Sequence, residues 1–117
     1  MRLGILTDIH ANREALTAVL ADIAARGCDR IAILGDVVGY GPDPGWCADR
    51  VAALGAEGAI LIRGNHDAAV ARPDAAMSTL ARTAIDWTRG QMTPDQIAFV
   101  AGQPLAAPVD DVLLVHA

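Results

Sequence analysis

Three short aliphatic runs, each stopping abruptly at polar residues, constrain this chain more than any other feature. Residues 2–7 (RLGILT), 31–34 (IAIL) and 59–62 (AILI) are short, predominantly apolar runs. That is the character of strands buried on both faces of a parallel sheet. Between the first two runs, Asn12 can cap a helix on which Leu16, Val19, Leu20 and Ile23 fall at i, i+3, i+4 and i+7. Gly27 ends that helix. After the second run, Gly39, Gly41, Pro42 and Pro44 make a turn-rich loop. Asp43 and Pro44 then read as an N-cap and a first-turn proline for a second helix, running to residue 54. The resulting order is β-α-β-α-β, and connections of this length imply parallel strands with right-handed crossovers.

Further along, residues 77–89 have a helical pattern through Leu80, Thr83, Ala84 and Trp87. Thr93-Pro94-Asp95-Gln96 opens another helix with a capping box. Residues 112–115 form a fourth apolar run, which ends at His116. No repeat, low-complexity tract or linker interrupts the chain. The expectation is one α/β domain over residues 1–117.

Composition agrees. Hydrophobic residues make up 53% and aromatics only 3%, so the core is aliphatic, as in helices packed on parallel strands. The net charge is −5 and every basic residue is arginine. Such a chain is a poor match for a nucleic-acid backbone. It can still take a small anionic substrate if metal ions supply the positive charge. Cys28 and Cys47 are isolated and read as free thiols. The N-terminal apolar run is too short for a signal-peptide core or a membrane span, so a soluble cytoplasmic chain is expected.

In open α/β sheets the ligand site lies outside the carboxyl ends of the strands. Here those ends carry Asp8-x-His10, Gly35-Asp36, Gly64-Asn65-His66-Asp67 and His116, which include all three histidines of the chain. Each motif alone is weak: an aspartate after a strand is commonly a cap, and a lone turn histidine is commonly a surface residue. Their shared position at strand ends is what sets them apart. Carboxylate, imidazole and amide oxygen, without thiolate, suit Mn, Fe, Zn or similar ions. Asp8 and His10 can face the same side of an extended segment. Asp36 has two oxygens with which to bridge a metal pair, and two metals about 3.5–4 Å apart can activate a water and clamp an in-line displacement at phosphorus. Trp46 and Trp87 read as packing residues.

DIHAN at 8–12, GDVVGYGPDP at 35–44, RGNHD at 63–67 and LLVHA at 113–117 together resemble the calcineurin-like metallophosphoesterases. The GYGPDP stretch is similar to a bacterial and archaeal subgroup described as phosphodiesterases. The resemblance implies the N-terminal part of an αββα sandwich. It further implies hydrolysis of phosphodiesters or small phosphomonoesters by a hydroxide activated between two divalent metal ions. Asp8 and His10 would bind one ion, Asp36 would bridge, and Asn65 and His116 would bind the other. His66 would be catalytic, beside the substrate phosphate, with Asn65 and Arg63 as further substrate contacts. Asp67 would orient neighbouring groups. Protein serine/threonine phosphatases of the superfamily carry Asp and Arg where this chain has Gly39 and Tyr40, which points away from a protein substrate. The family also implies a later Gly-His-x-His motif that completes both metal sites. Residues 1–117 stop short of it, so incomplete sites, uncovered apolar strands and self-association are expected. Two other readings remain: a non-catalytic binding scaffold on the same fold, and a generic nucleotide-binding α/β domain. The second lacks a glycine-rich phosphate loop after the first strand.

Overall fold

The computed structural model describes residues 1–117. Its elements follow the sequence pattern closely. They are β1 (Leu3–Leu6), α1 (Arg13–Ala25), β2 (Arg30–Ile33), α2 (Pro44–Ala56), β3 (Ile60–Leu61), α3 (Asn65–Ala69), α4 (Thr79–Gly90), α5 (Pro94–Ala101), β4 (Ala106–Val109) and β5 (Val112–Val115). Strands β1, β2 and β3 form one parallel sheet in that order. Leu3 pairs with Arg30, Leu6 with Ile33, and Ile33 with Leu61.

Alternation along the strands separates two cores. Leu6 and Ile33 face the helices and join Leu16, Ile23, Val51 and Leu54 in the main cluster. Ala32 and Ile62 face the other way and pack on Val109 and Leu114. Helix α5 packs against both α2 and α3.

The helix starts are written in the sequence. Asn12 accepts from Ala15 N at the head of α1. Thr93 and Gln96 form the expected reciprocal capping box at α5. Asp43 occupies the N-cap of α2 without making a side-chain cap, so Pro44 alone marks that start.

Three expectations need correction. Val19 is exposed, so the α1 stripe narrows to Leu16 and Ile23, with Leu20 half-buried. On α4 the buried face is Ala81, Ile85 and Thr88, while Leu80 is 77% exposed and Trp87 47%. Trp87 is therefore a surface residue. The rotation of α4 is set by Arg89, which reaches from its last turn to the carbonyls of Val70 (2.7 Å) and Ala69 (3.1 Å) at the end of α3. Finally, β5 is half of an antiparallel hairpin with β4, and no sequence signal marked β4 as a strand. The hairpin turns through Asp110-Asp111, with Asp110 at φ 52°. Its inner residues cover one face of the three-stranded sheet and carry His116 to the carboxyl ends of the parallel strands.

Candidate metal centre

Beyond their last paired residues, β1 and β2 stay joined. Asp8 N donates to Gly35 O (3.0 Å), His10 N to Asp36 O (2.9 Å) and Ala11 N to Val37 O (2.8 Å). This ladder is kept through left-handed backbone. Six non-glycine residues have positive φ, and five of them lie here: Asp8 (55°), His10 (47°), Ala11 (55°), Asp36 (54°) and Tyr40 (64°). Each such residue costs about 1–2 kcal/mol. Strain of this kind, concentrated in one place, marks a functional site.

Two glycines bring the second and third strand ends together. A Cβ on Gly35 would meet Gly64 Cα at 2.7 Å, and one on Gly64 would meet Asp36 Cγ at 2.8 Å. With no side chains between them, the loops touch backbone to backbone, and His66 N donates to Asp36 Oδ1 (2.9 Å). Asp67 locks the approach. Its Oδ1 accepts from Val37 N (3.0 Å) and Val38 N (3.3 Å), and its Oδ2 from Gly64 N (3.0 Å). Burial pushes the Asp67 carboxyl up to about 6, against the downward pull of the Gly64 and Val38 N–H groups and with the charge of Asp36 adding to the rise. Asp67 thus orients backbone, as its place in the motif implies.

Asp36 is the hub. It is 2% exposed, and His66 Nδ1 lies 2.8 Å from its Oδ2. The same oxygen is 3.7 Å from His10 Nε2 and 3.6 Å from His116 Nε2, while Asp8 Oδ1 is 3.5 Å from His10 Nε2. The outer nitrogens fix the tautomers. His10 Nδ1 faces Val38 O (3.2 Å) and His116 Nδ1 faces Leu34 O (2.7 Å), so each Nδ1 donates and each Nε2 turns a lone pair inward. The Asn65 amide sits 3.2 Å from His116 Nε2. With its nitrogen inward it donates to both Asp36 oxygens (3.1 and 3.3 Å), and with its oxygen inward it offers a ligand atom to the same point.

Two groups of donor atoms lie within 4.8 Å of one another: His10, Asp36 and His66, and Asp8, Asp36 and His116. Imidazole lone pairs facing carboxylate oxygens are acceptor against acceptor. A divalent cation between them turns both into ligands, so the donor set fits the metals expected of it.

Asp8, His10, Asp36, Asn65, His66 and His116 are therefore brought together from four strand ends. Arg63 is not among the donors. Its guanidinium donates to Ala101 O (3.0 Å) on the last turn of α5, and its Nε is buried without a partner. The sequence reading used Tyr40 only to argue against a protein substrate; its ring lies edge-on to both His10 (centroids 5.2 Å apart) and His66 (4.9 Å). The signal available was its place between two glycines in a loop otherwise without aromatics. Trp46 is half-buried against the main core, with the Arg13 guanidinium 4.7 Å from its ring centroid.

A family model described as calcineurin-like phosphoesterase matches residues 1–117. The uncharacterized protein MJ0912 of Methanocaldococcus jannaschii is 35% identical over 105 residues, which cover 88% of this chain and 42% of that protein. A metallophosphoesterase crystal structure from Sphaerobacter thermophilus superposes with a TM-score of 0.76 at 37% identity, covering 97% of this chain and 45% of that one. The hypothetical protein PH1004 of Pyrococcus horikoshii shares the fold at 22% identity (TM-score 0.74), with 90% of this chain and 48% of that one covered. The chain spans about half the length of these relatives.

Proposed function

The chain belongs to the calcineurin-like phosphoesterases, and we propose that it contributes the first half of a two-metal site that hydrolyses phosphodiesters or small phosphomonoesters. The observation that carries this reading is the inward turn of His10 Nε2 and His116 Nε2 onto the buried carboxylate of Asp36. In it, Asp8 and His10 hold one divalent ion, Asn65 and His116 the other, and Asp36 both. Manganese, iron and zinc all suit these donors. Bound there, such ions supply Lewis-acid charge and an activated water for attack at phosphorus.

The remaining roles fall to the chain's own atoms. Val38 O and Leu34 O hold the two imidazoles in their ligand tautomers. Asp67 holds the backbone of the Asp36 and Asn65 loops in register. His66 Nε2 is buried without a hydrogen-bond partner. It is the open hydrogen-bonding position for a phosphoryl oxygen or for the leaving oxygen, to which it can pass a proton. No helix is long and apolar enough to cross a membrane, and both cysteines are free, which suits a cytoplasmic location. The exposed Ile5, Leu113 and Val115 support self-association.

The test is calorimetric titration with Mn²⁺ of the chain and of Asp36→Ala, alongside hydrolysis of bis-p-nitrophenyl phosphate. The expected result is metal binding that Asp36→Ala abolishes, together with whatever Mn²⁺-dependent turnover the incomplete site supports. Unchanged stoichiometry in the variant removes Asp36 as the bridge. Absence of both binding and turnover in the parent chain moves the scaffold reading ahead.

A further inference from the structure

The surroundings of Tyr40 are built, and neither folding nor the cluster's own hydrogen bonds account for them. Its backbone is left-handed (φ 64°), a conformation that bulky side chains rarely adopt. The side chain is not repaid by burial, since the residue is 52% exposed. The neighbours on both sides are glycines that cannot be otherwise. At Gly39 φ is +100° and a Cβ would press on the His66 ring at 3.2 Å, while at Gly41 a Cβ would overlap the carbonyl of Ala11 at 2.9 Å. Gly41 N closes the turn on Gly39 O (2.8 Å). The turn lifts one aromatic ring out of the protein and sets it beside His10 and His66, edge-on to each, with interplanar angles of 64° and 61°.

From this geometry we infer that Tyr40 is a specificity-determining residue, whose ring contacts an aromatic group esterified to the phosphate. The inference rests on the hydrolytic reading above for the place of the phosphate. It adds the substrate class: aryl or heteroaryl phosphate esters in preference to small alkyl ones. A phosphate ester bound beside His66 would lie within reach of the exposed ring of Tyr40, whose centroid is 4.9 Å from that of His66. Rings prefer offset or edge contacts at centroid distances of about 4.5–7 Å. Stacking of a nucleic-acid base on an aromatic side chain works by the same contact and tolerates many ring systems.

Phenylphosphonate and methylphosphonate differ only in this substituent and are not hydrolysed. Their affinities are measured by calorimetry in Zn²⁺ for the parent chain, Tyr40→Phe and Tyr40→Ala. The chain has one tyrosine, so its ring signals in the NMR spectrum belong to Tyr40 without further assignment. The expected result has three parts. Phenylphosphonate, and not methylphosphonate, shifts the Tyr40 ring signals. Tyr40→Ala loses about tenfold in phenylphosphonate affinity and under about threefold in methylphosphonate affinity, as one aromatic contact allows. Tyr40→Phe keeps the preference. Equal losses for both phosphonates, unmoved ring signals, or a loss in Tyr40→Phe equal to that in Tyr40→Ala each overturn the inference. Hydrolysis of bis-p-nitrophenyl phosphate separates the two readings. Turnover without a phenyl preference removes the role of Tyr40 alone. A Tyr40-dependent phenyl preference without turnover removes the hydrolytic reading alone.

Discussion

Replacing Gly35 with alanine tests whether the backbone contact between the second and third strand ends builds the site. The residue has φ +94°, so any Cβ there costs about 1–2 kcal/mol before it touches anything. The new carbon would then lie 2.7 Å from Gly64 Cα and 2.9 Å from Arg63 C. Carbon atoms rest at about 3.5–4.0 Å, so the loops must part by close to 1 Å. Neither neighbour is a side-chain tip that can swing away; both are main chain. Overpacking of this kind costs about 1–3 kcal/mol, for a total of about 2–5 kcal/mol. Gly58 supplies the control: its φ is +103° and nothing lies within 4 Å of its Cβ position, so Gly58→Ala carries the backbone penalty alone. Urea denaturation in EDTA measures both variants free of metal, and their difference of about 1–3 kcal/mol isolates the collision. The same 1 Å separates Asp36 from Asn65 and His66. Metal–ligand distances tolerate only about 0.2 Å. Mn²⁺ affinity in Gly35→Ala is therefore expected to fall by at least about a hundredfold, while Gly58→Ala keeps it. Equal stabilities for the two variants would refute the close approach. A destabilised Gly35→Ala that still binds Mn²⁺ like the parent would show that the contact does not position the donors.

Two further outcomes follow from the packing. Cys47 is fully buried, and burial pushes its thiol from 9.0 up to about 11. The folded state then holds a proton that the unfolded state releases between pH 9 and 11, so stability falls as pH rises through that window, by at most about 3 kcal/mol. Urea melts across the window should show this slope in the parent and lose it in Cys47→Ala; at pH 8 a thiol reagent should label Cys28 in the native chain and spare Cys47. Arg89→Ala removes two charge-assisted bonds to the end of α3 and should destabilise the chain by about 2 kcal/mol. Arg89→Lys lacks the planar fork that reaches both carbonyls from fixed positions and should recover less than half of that loss in the same melts.

The parallel sheet and most helix starts were legible because they follow from local rules. Short aliphatic runs mark the strands, Asn12 and Thr93 cap the helices that follow them, and polar residues gather where each run stops. Topology also sends the carboxyl ends of the three parallel strands to one side of the sheet, where Asp8, His10, Asp36, Asn65 and His66 gather. What failed depended on contacts between distant segments. Strand β4 reads AAPV, with a proline and two alanines, and becomes a strand only because β5 pairs with it across the sheet face. The turn carries Asp110-Asp111, without the glycine that usually signals a two-residue hairpin. The face of α4 was misread because leucine and tryptophan outweigh alanine and threonine in any pattern, whereas the carbonyls that receive Arg89 fix its rotation.

The hairpin gives the centre a property that no single motif has. His116 joins the cluster only because Leu34 O holds its Nδ1 and because Val109 and Leu114 seat the hairpin on Ala32 and Ile62. Asp8, His10, Asp36 and His66 are tied in addition by the ladder between the first two strand ends and by Asp67. The two halves of the donor set therefore differ in what maintains them. A cation held by His10, Asp8 and Asp36 draws on preformed loops. One held by His116 draws on a small apolar contact whose outer face is open, with Leu113 63% exposed. Binding energy at His116 is then in part docking energy for the hairpin, because a ligand that engages only the docked state stabilises that state. Under the proposed two-ion arrangement, an ion at His116 would be the one whose affinity depends on how the hairpin is seated, and an ion at His10 would draw chiefly on the parallel strand ends.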